Sequence, residues 1–265
     1  MPRFCANLTF LFTELPFMER FAAAAKAGFR GVEYMSPYEY PKDALREALA
    51  QHKLAQVLFN LPAGDWAKGE RGIACHPERV SEFQDGVGKA IDYAAALGCK
   101  QVNCLAGLRT EAPEDRQRAT FVSNLRFAAM KLHEAGVRLV IEPINDRVDI
   151  PGFYLTGSGQ GFDIMKEVGS DNLFLQYDIY HMQIMEGDLA RTIENNLAEI
   201  GHLQLADNPG RHEPGTGEIN YPYLFDHLDR IGYPGWIGCE YKPAAKTADG
   251  LVWIRPYFDE QPRPA

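Results

Sequence analysis

The stretch EAGVRLVIE, residues 134–142, decides the fold. Its glycine is suited to end a helix, because glycine readily takes the left-handed conformation that closes one. An apolar run follows and stops at Glu142. Apolar runs that end in or near a polar residue recur at NLFLQYD (172–178), GHLQL (201–205) and WIGCE (236–240). Strands that alternate with helices in this way predict a parallel β-sheet.

Eight such strands can be placed along the chain, with stretches of helical length between them. The 265 residues match the roughly 250 of a (β/α)8 TIM barrel, so we predict one α/β barrel domain over residues 1–265. No GxGxxG motif follows the first strand, which leaves a dinucleotide-binding fold without support. The tail beyond Glu240 predicts at most one short helix. The strands are predicted at residues 3–8, 31–35, 55–60, 101–105, 137–142, 173–178, 202–205 and 236–240, and the helices at 16–27, 42–52, 77–97, 113–134, 160–168, 188–200 and 221–231.

The composition is that of an ordinary globular protein, with 46% hydrophobic and 24% charged residues. A net charge of −9 argues against nucleic acid as a partner, because phosphate contacts need clustered Lys and Arg. No apolar run reaches the roughly 18 residues of a membrane span. The five cysteines are scattered and form no CxxC motif, which is typical of reduced thiols in a cytoplasmic protein. We therefore expect no membrane or nucleic-acid partner, and the sequence leaves a homo-oligomer open.

Four polar residues stand at or next to the ends of the last four predicted strands: Glu142, Asp178, Gln204 and Glu240. In a parallel barrel these side chains converge at the carboxyl end, where barrel enzymes keep their active sites. Three carboxylates and one amide form an oxygen-rich cage that suits Mg²⁺ or Mn²⁺. Any one of the four could instead cap a helix or pair with an arginine, but that explanation is weak for all four together.

Several residues near the cage are candidates for contact with a substrate. His181 follows Asp178 by three positions, and Arg211 lies in the long loop after Gln204. An arginine fork could bind the carboxylate of a small anionic substrate, and a surface arginine is the equal alternative for Arg211. The predicted substrate-binding residues are His181, Arg211, Lys242 and Arg71, and the predicted supports of the metal ligands are Glu218 and Asn145.

Two glutamates that flank one metal indicate a reaction type. A metal that holds a carbonyl oxygen and the neighbouring hydroxyl makes the intervening C–H more acidic. One of Glu142 and Glu240 could then remove that proton, and the other could return it to the adjacent carbon. The scheme requires each glutamate to keep one oxygen free for proton transfer. A hydride shift is the alternative that the sequence leaves open.

Long strings of the sequence resemble the xylose-isomerase-like barrels, among them RFCANLTFLF (3–12), NLPAGDWAKGERGIAC (60–75) and GHLQLADNPGRHEPGTGEINY (201–221). Such strings extend over most of the chain. The resemblance implies a (β/α)8 barrel, with Glu142 and Glu240 as the proton donor and acceptor and the four strand-end residues as metal ligands. The activity that it implies is the interconversion of hydroxypyruvate and 2-hydroxy-3-oxopropanoate, a small 2-oxo acid and its aldehyde isomer.

Three alternatives remain beside this interpretation. The first is an isomerase or epimerase of a longer 2-oxo acid or of a free ketose. The same resemblance includes isomerases of four-carbon 2-oxo acids, although the strings near residues 60–66 and 140–145 favour the three-carbon branch. A metal-dependent DNA-repair endonuclease would need a histidine-rich cluster and a basic face, which seven scattered histidines and a charge of −9 do not support. A binding protein without activity would be expected to lose one of the two glutamates, and both are present.

Overall fold

Eight parallel strands close into a barrel in the computed structural model, which describes residues 2–259. Each strand pairs with the next one along the chain, and the last strand pairs with the first. The predicted (β/α)8 fold is confirmed. The strands are β1 Arg3–Asn7, β2 Gly31–Glu33, β3 Ala55–Asn60, β4 Gln101–Cys104, β5 Arg138–Ile141, β6 Leu173–Asp178, β7 Ile200–Leu205 and β8 Trp236–Cys239.

Helices connect the strands and present apolar faces to the barrel. In the third helix, for example, Phe83, Val87 and Ala94 are buried, and Gly98 ends the helix in the left-handed conformation. No helix within residues 2–259 is both long enough and apolar enough to cross a membrane. The helices are α1 Arg20–Ala27, α2 Lys42–His52, α3 Val80–Leu97, α4 Glu114–Glu134, α5 Ser158–Val168, α6 Ile179–Met185, α7 Leu189–Asn195, α8 Tyr221–Arg230, α9 Thr247–Gly250 and α10 Arg255–Asp259.

The structure differs from the predicted helices in three places. Helix α6 was not predicted, and it begins directly after β6 because the Asp178 carboxylate accepts hydrogen bonds from the first backbone N–H groups. The helix predicted at 188–200 ends at Asn195, where the Asn196 side chain donates to the Thr192 carbonyl. The tail holds two short helices, α9 and α10, instead of at most one, because proline is tolerated in the first turn of α10.

The core has two parts. The larger part lies between the barrel and the helices. The smaller one fills the amino end of the barrel with Cys5, Val57 and Val140, over which Phe174 and Trp236 pack. Buried polar residues also occur near the amino ends of the strands, such as Gln56 and Gln101, and a further set lies at the carboxyl ends.

Candidate active site

Polar side chains form a buried layer at the carboxyl end of the barrel, and every strand contributes one. The last four strands supply the residues that the sequence singled out. The first four supply residues that were missed, although the same signal, a polar residue at the end of a buried strand, was present in each of them. The layer consists of Asn7, Glu33, Asn60, Asn103, Glu142, Asp178, Gln204 and Glu240, all less than a tenth exposed.

Glu142 is held by an amide on the neighbouring strand. The Asn103 Nδ2 donates to Glu142 Oε2 at 2.9 Å and to Asn60 Oδ1 at 3.2 Å, so one carboxylate oxygen is occupied. The other oxygen, Oε1, lies 4.0 Å from His181 Nε2. Burial, together with the nearby negative charge of Glu240, raises the pKa of Glu142 well above its ordinary value.

Glu240 has one oxygen bound by amides and one by a guanidinium. Its Oε2 accepts hydrogen bonds from Asn7 Nδ2 and Gln204 Nε2, both at 2.8 Å. Its Oε1 accepts from Arg211 Nη2 at 2.8 Å. Burial raises the pKa of Glu240 despite the opposing charge of Arg211, and the charge of Asp178 raises it further. Two acids with raised pKa values therefore face one pocket, an arrangement that is common where protons are exchanged.

Asp178 uses only one of its two carboxylate oxygens in hydrogen bonds within the described chain. Its Oδ1 accepts from the backbone N–H groups of Tyr180 at 2.8 Å and His181 at 3.3 Å. Its Oδ2 is buried and has no hydrogen-bond partner among residues 2–259. A buried carboxylate oxygen without a partner is costly, so a ligand of positive charge would stabilise it.

The donor set fits a divalent cation. Glu142, Glu240 and Asp149 line the pocket, and the buried Asp178 lies next to it, with its Oδ2 3.7 Å from His181 Nε2. Arg211 is the one buried cation within the described chain that pairs with these carboxylates, through Asp149 and Glu240. Like charges at short range repel one another, and an oxygen-bound Mg²⁺ or Mn²⁺ would offset that repulsion. The free oxygen of Asp178 points to the same conclusion.

His181 is neutral, and its hydrogen-bond partner identifies its tautomer. The Asn145 amide is oriented by its oxygen, which accepts from the backbone N–H groups of Val148 and Asp149, so its nitrogen faces the His181 Nδ1 at 2.7 Å. The Nδ1 must accept this hydrogen bond, which places the proton on Nε2. Burial lowers the pKa of His181 to about 4. The ring therefore presents an N–H donor to the space beside Asp178 and Glu142, which favours contact with a substrate oxygen over metal ligation.

Gln204 has its amide nitrogen turned towards the carboxylates. The nitrogen donates to Glu240 Oε2 at 2.8 Å and to Glu33 Oε1 at 2.7 Å, and the oxygen accepts from Gln176 Nε2 at 2.7 Å. In this arrangement Gln204 holds Glu240 in place. Its predicted role as a metal ligand stays a prediction, and it would require the amide oxygen to turn away from Gln176.

Arg211 lies at the centre of the charged network, on a loop that Asp207 organises. The Asp207 carboxylate accepts backbone N–H groups from Gly215 and Gly217, which folds the loop back on itself. Arg211 has a positive φ of 55° and donates to Asp149 Oδ1 at 2.6 Å as well as to Glu240. Asp149 was missed because nothing in its local sequence distinguishes it from other loop carboxylates.

The remaining predicted residues lie at the mouth of the pocket or away from it. Arg71 lines the pocket and stacks on the Trp66 ring, with its guanidinium carbon 3.9 Å from the ring centroid. Lys242 also lines the pocket, and its side chain is exposed. Asn145 lies directly behind His181, a predicted substrate contact, and its predicted role as a support of the metal ligands stays a prediction. Glu218 is not brought to the site, because its carboxylate accepts from Gln183 and Asn208 on the surface.

A closed parallel barrel with a carboxylate-lined pocket at its carboxyl end defines the class to which this chain belongs. The family model of the xylose isomerase-like TIM barrel matches residues 21–257. The chain is a member of that family, and the resemblance found in the sequence is confirmed.

Two curated relatives and one solved structure are similar to this chain over nearly its full length. The hydroxypyruvate isomerase of Escherichia coli (strain K12) is 55% identical over 258 residues, which cover 97% of this chain and 100% of that protein. The 2-oxo-tetronate isomerase of Cupriavidus necator is 50% identical and is aligned over 97% of this chain and 99% of its own length. A crystal structure from Brucella melitensis, described as an AP endonuclease of family 2, has a TM-score of 0.95 and 47% identity and is matched over 97% and 99% of the two chains.

Proposed function

We propose that this protein is an isomerase of short 2-oxo acids and that hydroxypyruvate is its principal substrate. The observation that carries the proposal is the placement of Glu142 and Glu240 in one buried pocket, each with its Oε2 held by amides. The relatives described as hydroxypyruvate isomerase and 2-oxo-tetronate isomerase act on this class of compound, and both match the chain over nearly its full length.

The two glutamates move the proton. In hydroxypyruvate, one of them removes a proton from the hydroxymethyl carbon and leaves an enediolate across that carbon and the carbonyl carbon. A proton is then delivered to the former carbonyl carbon, and the hydroxyl proton passes between the two oxygens, which gives 2-hydroxy-3-oxopropanoate with all atoms conserved. The raised pKa values suit this exchange, because each glutamate holds a transferred proton more readily than an ordinary carboxylate does.

Other side chains orient the substrate. The His181 Nε2–H can donate to a substrate oxygen, since its Nδ1 is occupied by Asn145. Arg211 is suited to the substrate carboxylate, and its Nε is a buried donor without a partner in residues 2–259. Lys242 and Arg71 add positive charge at the mouth. These cations offset the carboxylates and make the pocket accessible to an anion.

A divalent cation, Mg²⁺ or Mn²⁺, would be held by Glu142, Asp178 and Glu240, with Gln204 as the fourth predicted ligand. When bound, it would supply Lewis acidity that stabilises negative charge on the substrate oxygens.

The volume of the pocket is compatible with a four-carbon substrate as well as with hydroxypyruvate. The cavity has a volume of about 360 Å³, which lies within the range of about 300–1,000 Å³ found for small-molecule sites. It therefore admits a chain longer than that of hydroxypyruvate, and a relative at 50% identity is described as a 2-oxo-tetronate isomerase.

The decisive experiment compares substrates and metals in one series. Protein treated with a chelator and then restored with Mg²⁺ or Mn²⁺ is assayed with hydroxypyruvate, and the product is detected as 2-hydroxy-3-oxopropanoate. We expect turnover that depends on the metal and a higher kcat/KM than with 2-oxo-tetronate. A higher kcat/KM for the four-carbon acid would reassign the substrate, and no turnover of either acid would refute the isomerase.

Two further assays separate the remaining alternatives. Reaction in D₂O is expected to place solvent deuterium in the product, whereas complete absence of exchange would favour a hydride shift. An oligonucleotide with an abasic site tests the activity by which the Brucella melitensis structure is described. We expect no cleavage, because His181 is the one histidine among the pocket-lining residues and the chain has a net charge of −9.

A further inference from the structure

Glu33 lies at the centre of a buried hydrogen-bond network beneath the pocket. It ends β2, is fully buried, and accepts hydrogen bonds from His202 Nε2 and Gln204 Nε2, both at 2.7 Å. Asn7 Nδ2 donates to it at 3.0 Å, and the Cys5 thiol does so at 3.3 Å. These partners belong to β1 and β7, so the carboxylate crosses the interior of the barrel.

The barrel has room for this carboxylate because β8 carries a glycine opposite it. A Cβ atom at Gly238 would lie 2.2 Å from Glu33 Oε1 and 2.6 Å from Oε2, far inside contact distance. Gly238 does not have a positive φ, so the backbone conformation does not require glycine there. Glycine is needed at this position because a side chain would occupy the space of the Glu33 carboxylate.

Packing alone does not account for a carboxylate in this position. The interior of such barrels is ordinarily filled by branched apolar residues. A buried carboxylate with hydrogen-bond partners such as His202 and Gln204 rarely improves stability over apolar side chains of the same volume. The network does, however, reach the proposed catalytic machinery, because Asn7 and Gln204 each bond Glu33 and also Glu240 Oε2.

We propose that Glu33 is a positioning residue that acts on Glu240 through Asn7 and Gln204. A carboxylate accepts hydrogen bonds and donates none, so it keeps the amide nitrogens of both residues facing inwards. Each amide then uses its second N–H for Glu240 Oε2. Oε2 of Glu240 thus accepts two hydrogen bonds from amides. Its Oε1 faces Arg211 and the pocket. The inference deepens the proposed function and rests on it only for the role of Glu240.

Two substitutions disturb the network in different ways. Glu33→Gln keeps the shape and replaces one acceptor oxygen by a donor. Gly238→Ala keeps every polar group and displaces the Glu33 carboxylate. Gly88→Ala on α3 is the matched control for a glycine, because a Cβ there meets nothing within 4 Å. Gln56→Met is the control for a buried polar residue, since the Gln56 amide donates to the Leu58 carbonyl and forms no hydrogen bond to the network among residues 2–259.

The readouts are kcat and KM for hydroxypyruvate, Mn²⁺ affinity by electron paramagnetic resonance, and the thermal midpoint. Loss of a group that orients a metal ligand costs about 10- to 100-fold in metal affinity or activity, and we expect this loss for Glu33→Gln in both kcat and Mn²⁺ affinity. KM should change by less than about threefold, because Glu33 does not line the pocket. A lower thermal midpoint with kcat and Mn²⁺ affinity unchanged would overturn the proposal and leave Glu33 a structural residue.

The proposal can be tested even if the isomerase activity is absent. Crystal structures of the wild type and Glu33→Gln are compared at Gln204 and Glu240. We expect the Gln204 amide to turn and the Glu240 carboxylate to shift in the variant. Unchanged positions of both side chains would refute the positioning role, whatever the substrate of the protein is. If Gly238→Ala does not fold, Glu33→Gln decides the question by itself.

Discussion

Replacing Arg211 with methionine tests the electrostatics of the whole pocket. Arg211 is 11% exposed, and its partners Asp149 and Glu240 are 13% and 9% exposed, so both ion pairs lie out of solvent. The two hydrogen bonds are 2.6 and 2.8 Å long. Methionine keeps an unbranched apolar stem and removes the charge and both donors, which leaves two carboxylates without their cation.

The expected magnitude follows from the burial. Removal of one partner of a buried ion pair costs about 3–5 kcal/mol in the free energy of unfolding. Glu240 can relieve part of this cost by taking up a proton, since the charge of Arg211 is the largest factor that lowers its pKa. We therefore expect Arg211→Met to lose about 3 kcal/mol at neutral pH. Each charge-assisted hydrogen bond to the substrate carboxylate is worth about 1.5–3 kcal/mol, so KM should rise at least about tenfold.

Urea unfolding at pH 7 and initial rates with hydroxypyruvate measure the two effects. Asp149→Asn in the Arg211→Met background serves as the control. It removes the negative charge of Asp149, which has lost its Arg211 partner, and keeps an oxygen acceptor for Tyr180. The double variant should regain part of the lost stability and none of the lost affinity for substrate. A loss below about 1 kcal/mol together with an unchanged KM would show that Arg211 is a solvated surface arginine in solution.

Three further outcomes are expected. Glu142→Gln and Glu240→Gln should each lower kcat by about 10²–10⁴-fold while the far-ultraviolet circular dichroism is retained, and near-normal turnover by either would contradict the two-base scheme. Asp178→Asn should weaken Mn²⁺ binding by at least about tenfold in an equilibrium titration, because it removes the charge of the carboxylate whose Oδ2 has no hydrogen-bond partner within residues 2–259; unchanged affinity would place the metal elsewhere. Trp66→Ala should raise KM and leave kcat within about twofold, because it removes the ring on which Arg71 stacks at the mouth; a fall in kcat alone would assign the ring to the chemical step.

Much of this architecture follows from local sequence. Alternation of short apolar runs with helices predicts the barrel, because each strand and each amphipathic helix must bury one face. Glu142, Asp178, Gln204 and Glu240 could be found because the carboxyl ends of parallel strands meet at one mouth. The same reasoning applied to the first half of the chain would have found Asn7, Glu33, Asn60 and Asn103.

What the tertiary structure alone decided is how these side chains bond to one another. Arg211 and Asp149 are 62 positions apart in the sequence, and His202 and Glu33 are 169 positions apart. No local sequence pattern therefore predicts either pair. The tautomer of His181 depends on the Asn145 amide, and the orientation of Gln204 depends on Glu33 and Gln176. Sequence sets which polar groups reach the mouth of the barrel. Closure of the barrel brings distant strands within hydrogen-bond distance, and the satisfaction of buried donors and acceptors then selects the role of each group.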